Sequence, residues 1–106
     1  MEEKRIIIDL THIDNKDTLY DTVYKALGVN DCGRDLDALW DVLTGFELSF
    51  TSAAILRVDD YGDPYLTDYV GAVCRVFVLA EQEYGEFEAM IFRPEEKIER
   101  ISNDQW

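Results

Sequence analysis

Three short apolar runs, set far apart, limit the architectures open to this chain. Lys4–Leu10 holds Ile6, Ile7 and Ile8 in succession, Ala53–Val58 is the second run and Glu88–Phe92 the third. Each has the length of a strand, and β-branched residues favour that conformation. The stretches between them are too long for hairpins and carry a helical period. Strands joined by long crossovers pair in parallel with right-handed connections. The unbroken isoleucine run reads as a central strand, buried on both faces.

The intervening segments carry their own punctuation. Asp14 or Asn15 can cap a helix whose stripe is Leu19, Val23 and Leu27, and Gly28 is placed to end it. Residues 30–34 form a short loop, and Asp35 is the natural N-cap of a second helix ending at Gly45. Residues 59–64 are rich in turn formers. A long helix then starts between Pro64 and Thr67 and ends near Gly85, with Leu66, Val70, Val73, Phe77 and Ala80 as its core stripe. The order is strand, helix, helix, strand, helix, strand. The expected class is α/β, a small three-stranded parallel sheet packed with helices. Residues 1–92 form the domain and residues 93–106 a polar C-terminal tail.

A chain of 106 residues, 47% of them hydrophobic, can bury one core without staples. No apolar run approaches the roughly 20 residues of a membrane span. The start of the chain has no signal-peptide plan, so a cytoplasmic protein is expected. Cys32 and Cys74 have no metal-ligand spacing and read as reduced thiols. The net charge of −13 makes nucleic acid and anionic membranes improbable partners and favours a basic protein. The charge is also unevenly placed. From Asp31 to Asp68 there are nine acidic residues and only two basic ones, Arg34 and Arg57.

The second helix concentrates that asymmetry. Leu36, Leu39, Trp40 and Leu43 fall on one apolar stripe, while Asp37 and Asp41 share another face at i, i+4. Two like charges at that spacing cost a helix roughly 0.2–0.5 kcal/mol. Asp41 also lies in the half of the helix where the dipole disfavours a carboxylate. A helix selected only to fold would carry Lys or Arg at one of these positions. The negative edge therefore points to a cationic partner.

The run from Leu36 to Phe46, Leu-Asp-Ala-Leu-Trp-Asp-Val-Leu-Thr-Gly-Phe, closely resembles the signature helix of the barstar family, inhibitors of the ribonuclease barnase. Gly33, just before it, also fits. The resemblance implies that the helix and the loop before it insert into a nuclease active site. Asp37 and Asp41 match the two binding aspartates, with Asp41 the dominant one. Trp40, Gly45 and Phe46 match positions lining the family interface, and Asp31, Gly33, Asp35 and Thr44 belong to the same loop and helix. The resemblance also implies that the first strand lies between the other two. Three positions depart from the pattern. Asp31 and Cys32 replace aromatics before the glycine, and Asp35 replaces an asparagine. Leu79 stands where the third helix of the family contributes an acid. Leu79 and Val78 point away from the core stripe, as a contact surface or as a surface covered by the tail.

Other chemistry has weak support. His12 is the only histidine and has no sequence-near partner that would make a triad. Asp59, Asp60 and Asp63 lack the spacing of a calcium loop and read as a capping turn. No cofactor, metal or small-molecule substrate is expected, and the chain is not read as an enzyme. The expected function is a cytoplasmic ribonuclease inhibitor or immunity protein that neutralises a bacterial ribonuclease toxin by occluding its basic active site. The alternative is a scaffold or regulatory module of the same fold that binds a non-nuclease protein.

Overall fold

The computed structural model describes residues 4–30, 32–45 and 50–93. The elements are β1 (Arg5–Asp9), α1 (Lys16–Leu27), α2 (Leu36–Gly45), β2 (Ser52–Leu56), α3 (Pro64–Tyr84) and β3 (Glu88–Phe92). This is the expected order, and all the strand pairings are parallel. Ile8 lies beside Ile55, and Ile55 beside Ile91.

The strand order corrects two expectations. β2, not β1, is the central strand, and β1 is an edge. The isoleucine run is therefore not buried on both faces: Ile8 is fully buried, but Ile7 is 66% exposed. Apolar residues in succession show that a strand can be buried on both sides. They do not show how many neighbours it will find. Side chains alternate across a strand, so Ile6 and Ile8 of β1 share a face with Ala53 and Ile55 of β2 and with Ala89 and Ile91 of β3. That face meets the helices.

The helix ends follow their caps. Asn15 and Thr18 form a reciprocal capping box, and Gly28 closes α1 with φ 75° in the left-handed region. Asp63 accepts from the Tyr65 N–H at 2.9 Å, with Pro64 at the first turn of α3. The expected stripes of α1 and α3 are all buried. In α2 the core residues are Leu39, Val42 and Leu43, while Leu36 and Trp40 remain half-exposed. The stripe is thus rotated slightly from the one expected, because α2 packs chiefly on α3 and not on the sheet. No helix among the described residues is long and apolar enough to cross a membrane.

Tyrosines tie the elements to one another. The Tyr20 and Tyr69 hydroxyls lie 2.5 Å apart and join α1 to α3. The Tyr61 hydroxyl donates to the Leu10 carbonyl at 2.7 Å. Burial, helped by the bond to Tyr69, raises the Tyr20 phenol well above its ordinary range. Burial also pushes Tyr24 up to about 12 and raises Tyr61. A folded-state value above the unfolded one gives stability that is complete below the unfolded pKa and lost as pH rises through the folded pKa. Stability should therefore hold to about pH 10 and fall between there and about pH 12. Titration of phenolate absorbance should show Tyr20, Tyr24 and Tyr61 ionising together with loss of helical circular dichroism. Smooth ionisation of all six tyrosines in a folded protein would contradict this packing.

Candidate functional site

The acidic helix begins with a cap. Asp35 Oδ1 accepts from the Ala38 N–H at 2.7 Å, so this carboxylate satisfies one of the donors that a helix start leaves open. Gly33 precedes it closely: a Cβ built there would lie 3.0 Å from the Ala38 Cβ. A side chain at position 33 would require the loop and the first turn of α2 to part by a few tenths of an ångström.

The loop before α2 is fastened to α1 by two residues that the sequence reading did not single out. The Tyr24 hydroxyl donates to the Gly33 carbonyl at 2.6 Å. Arg34 donates to the Asp17 carbonyl at 2.8 Å, hydrogen-bonds the Asp21 carboxylate and lies 3.7 Å from that of Asp17. The Asp21 carboxylate holds the exposed guanidinium firmly charged. These contacts span nine and more residues of chain, so no local pattern could have disclosed them. Between α1 and the loop they leave a cleft of about 580 Å³, whose lining includes Tyr20, Tyr24, Lys25, Cys32 and Arg34.

Along α2 the aspartates divide by partner. Asp35 is bonded as a cap. Asp37 and Asp41 are exposed, and neither forms a hydrogen bond or ion pair among the described residues. Arg34, the cation nearest in sequence, is already held by α1. The last turn of α2 has no basic residue. The helix therefore presents two exposed carboxylates with no counter-ion among the described residues.

The other expected positions are placed as follows. Trp40 is half-buried and meets Tyr84 of α3 edge-on, with ring centroids 6.1 Å apart. The Thr44 hydroxyl donates to the Trp40 carbonyl at 2.7 Å, an internal bond of the helix. Gly45 is the last helical residue and is exposed. Leu79 is 43% exposed on α3, while Val78 is half-buried. The ring that reaches Trp40 is that of Tyr84, which is itself 55% exposed. Asp31 and Phe46 lie outside the described residues.

The remaining polar candidates have structural partners or none that bear on chemistry. Asp60 accepts from the Gly62 N–H at 2.8 Å, Asp63 caps α3, and Asp59 pairs with Arg93 at 2.5 Å. His12 is exposed. Cys32 and Cys74 are free thiols, and burial pushes the Cys74 thiol up.

This chain matches the family model described as Barstar (barnase inhibitor) over residues 3–92. It belongs to the barstar family. It is also similar to a Bacillus subtilis (strain 168) protein named "Putative ribonuclease inhibitor YrdF". The two are 33% identical over 90 residues, covering 83% of this chain and 98% of that protein. The match ends with β3, at Phe92.

Stability measurements should separate the aspartates. Asp35→Ala should cost about 1 kcal/mol, the usual value of an N-cap. Asp37→Ala and Asp41→Ala should change stability by no more than about 0.5 kcal/mol, or raise it, because each removes one of a like-charged i, i+4 pair. Urea midpoints of the three variants test this. A large loss at Asp41 would make it structural.

Proposed function

We propose that the protein is an inhibitor of a ribonuclease and that the acidic edge of α2, with the loop before it, occupies the enzyme's cationic active site. A ribonuclease must hold a polyanion, so its site concentrates Arg, Lys and His. The observation that carries this reading is the division of the aspartates. Asp17, Asp21 and Asp35 have internal partners, and Asp37 and Asp41 have none among the described residues. Membership of the barstar family and similarity to a protein named as a ribonuclease inhibitor support it.

In this reading Asp41 and Asp37 supply the charge that meets the enzyme. Gly33 allows the loop to lie close to α2, and Trp40, Thr44 and Gly45 shape the helix surface. Asp31 and Phe46, which flank this stretch in the sequence, are assigned to the same contact. Asp35 acts mainly by holding the helix start. The partner is a bacterial ribonuclease toxin, and the inhibitor protects the cytoplasm of the cell that makes it. Leu79 replaces an acid of the family pattern, so the toxin presents an apolar surface there and not a cation.

Asp41→Ala should weaken the complex with the ribonuclease while leaving the fold intact, measured by inhibition of RNA cleavage and by calorimetry. Association should be fast and salt-sensitive. Steering of this kind, known from complexes that include barnase–barstar, raises on-rates from about 10⁵–10⁶ to 10⁸ M⁻¹s⁻¹ or more at low salt. Stopped-flow rates that stay flat from low to high ionic strength would remove the electrostatic account. Leu79→Glu should raise the dissociation constant for the cognate toxin and lower it for a nuclease with a cation at that point. A constant unchanged for the cognate toxin would take α3 out of the interface.

A further inference from the structure

An exposed aromatic ring is a stronger anchor when a neighbour holds it in place. Tyr65, at the start of α3, is 86% exposed and meets no other ring among the described residues. Tyr84, in the last turn, is different. It follows Phe77 and Ala80 at i+7 and i+4, so it continues the buried stripe of α3 beyond the end of the core. Phe77 and Ala80 are buried, whereas Tyr84 is exposed and is met edge-on by Trp40. Trp40 itself stands between two faces of α2. At roughly 100° per residue, the buried Leu39 and Leu43 lie to one side of it. Thr44, Asp37 and Asp41 lie to the other, in that order. Through Trp40 the pair of rings adjoins the acidic edge.

We propose that the Trp40–Tyr84 pair is a seat for an arginine side chain of the ribonuclease, separate from the cations that meet Asp37 and Asp41, and that Tyr84 helps to set which ribonucleases are held. This seat rests on the proposed reading of α2 for its occupant, and it adds the end of α3 to the contact. A guanidinium stacks on aromatic faces and is attracted by their negative quadrupole. The surrounding charge has the same sense. The C-terminal end of α3 is the negative pole of its dipole, Glu81 and Glu83 lie in that last turn, and no basic residue does.

Elsewhere the fold supplies its own cation to a ring: Lys16 Nζ lies 4.9 Å from the centroid of Tyr69. Among the described residues no cation lies over Trp40 or Tyr84. Nor does the Trp40 indole N–H or the Tyr84 hydroxyl have a hydrogen-bond partner there. Tryptophan and tyrosine with unused polar ends, fixed against each other at a surface, have the character of interface anchors. Leu79 lies about 140° round α3 from Tyr84, so an apolar contact at the one and a cation at the other are compatible.

The test titrates the isotope-labelled full chain with hexa-arginine amide and with hexa-lysine amide at physiological ionic strength, about 0.15 M. Hexa-arginine should shift the Trp40 indole and Tyr84 ring resonances together with the Asp37 and Asp41 amides, and it should bind more tightly than hexa-lysine. Tyr84→Leu should lower the hexa-arginine affinity about two- to five-fold, the size of an exposed cation–π contact, and erase the preference over hexa-lysine. Tyr84→Phe should retain most of both, because the ring remains. Neither variant changes charge, so diffuse attraction to a chain of −13 is the same in all three. Helical circular dichroism checks that α2 is in place, and the ring shifts of the unmodified protein give a readout that needs no variant. Shifts confined to the Asp37–Asp41 turn, with parental affinity in Tyr84→Leu, would overturn the seat and leave the reading of α2 standing. Shifts at Trp40 and Tyr84 with the Asp37 and Asp41 amides silent would support the seat and remove the reading of α2. Shifts spread evenly over the acidic surface, with no preference for arginine, would overturn the seat. So would a loss in Tyr84→Phe equal to that in Tyr84→Leu.

Discussion

The acidic helix is held to the molecule by a single apolar seam, and every property of the candidate site depends on it. Leu39, Val42 and Leu43 of α2 are buried in the same core as Val70, Val73 and Phe77 of α3. α3 in turn reaches the sheet and α1. Nothing in α2 needs to pair with a strand, so its polar side is left entirely to solvent. Burying a Leu or Val contributes roughly 1.5–3 kcal/mol. Three such residues outweigh the few tenths of a kcal/mol that two aspartates at i, i+4 take away. Packing on one side permits electrostatic discomfort on the other.

The loop at the start of α2 is constrained by different means. Tyr24 holds the Gly33 carbonyl, and Arg34 is gripped by two aspartates of α1. On the proposed reading, these bonds hold Gly33 and Arg34 in place before a partner arrives, which limits the ordering cost of association. They also pair Arg34, the cation nearest α2 in sequence, with carboxylates of α1.

Much of this was legible in the sequence, for reasons that can be named. The ends of α1 and α3 follow from Asn15, Gly28, Asp63 and Gly85, residues whose local bonding is settled within four positions. The α3 stripe follows from its period. Asp35 was readable as a cap because capping is also local. The strand order differs from the one the resemblance implies, and no local pattern fixes it, because pairing is a long-range property. A run of three isoleucines advertises burial, but β2, with its two alanines, took the central place. The anchoring roles of Tyr24 and Arg34 were not legible, since their partners lie nine to seventeen residues away. The Trp40–Tyr84 contact was hidden for the same reason, with α2 and α3 separated by a strand.

The missing counter-ion in the last turn of α2 has a consequence for how such a protein can change over time. A lysine or arginine introduced near Asp41 would quiet the helix end and raise thermal stability. On the proposed reading it would also neutralise the charge that a basic enzyme is drawn to. Selection for robustness and selection for recognition therefore act on the same turn in opposite directions. Variants isolated for heat tolerance alone would drift toward an inert member of the fold. On that reading, Asp37 and Asp41 are carboxylates that a partner, and not the fold, would hold in place.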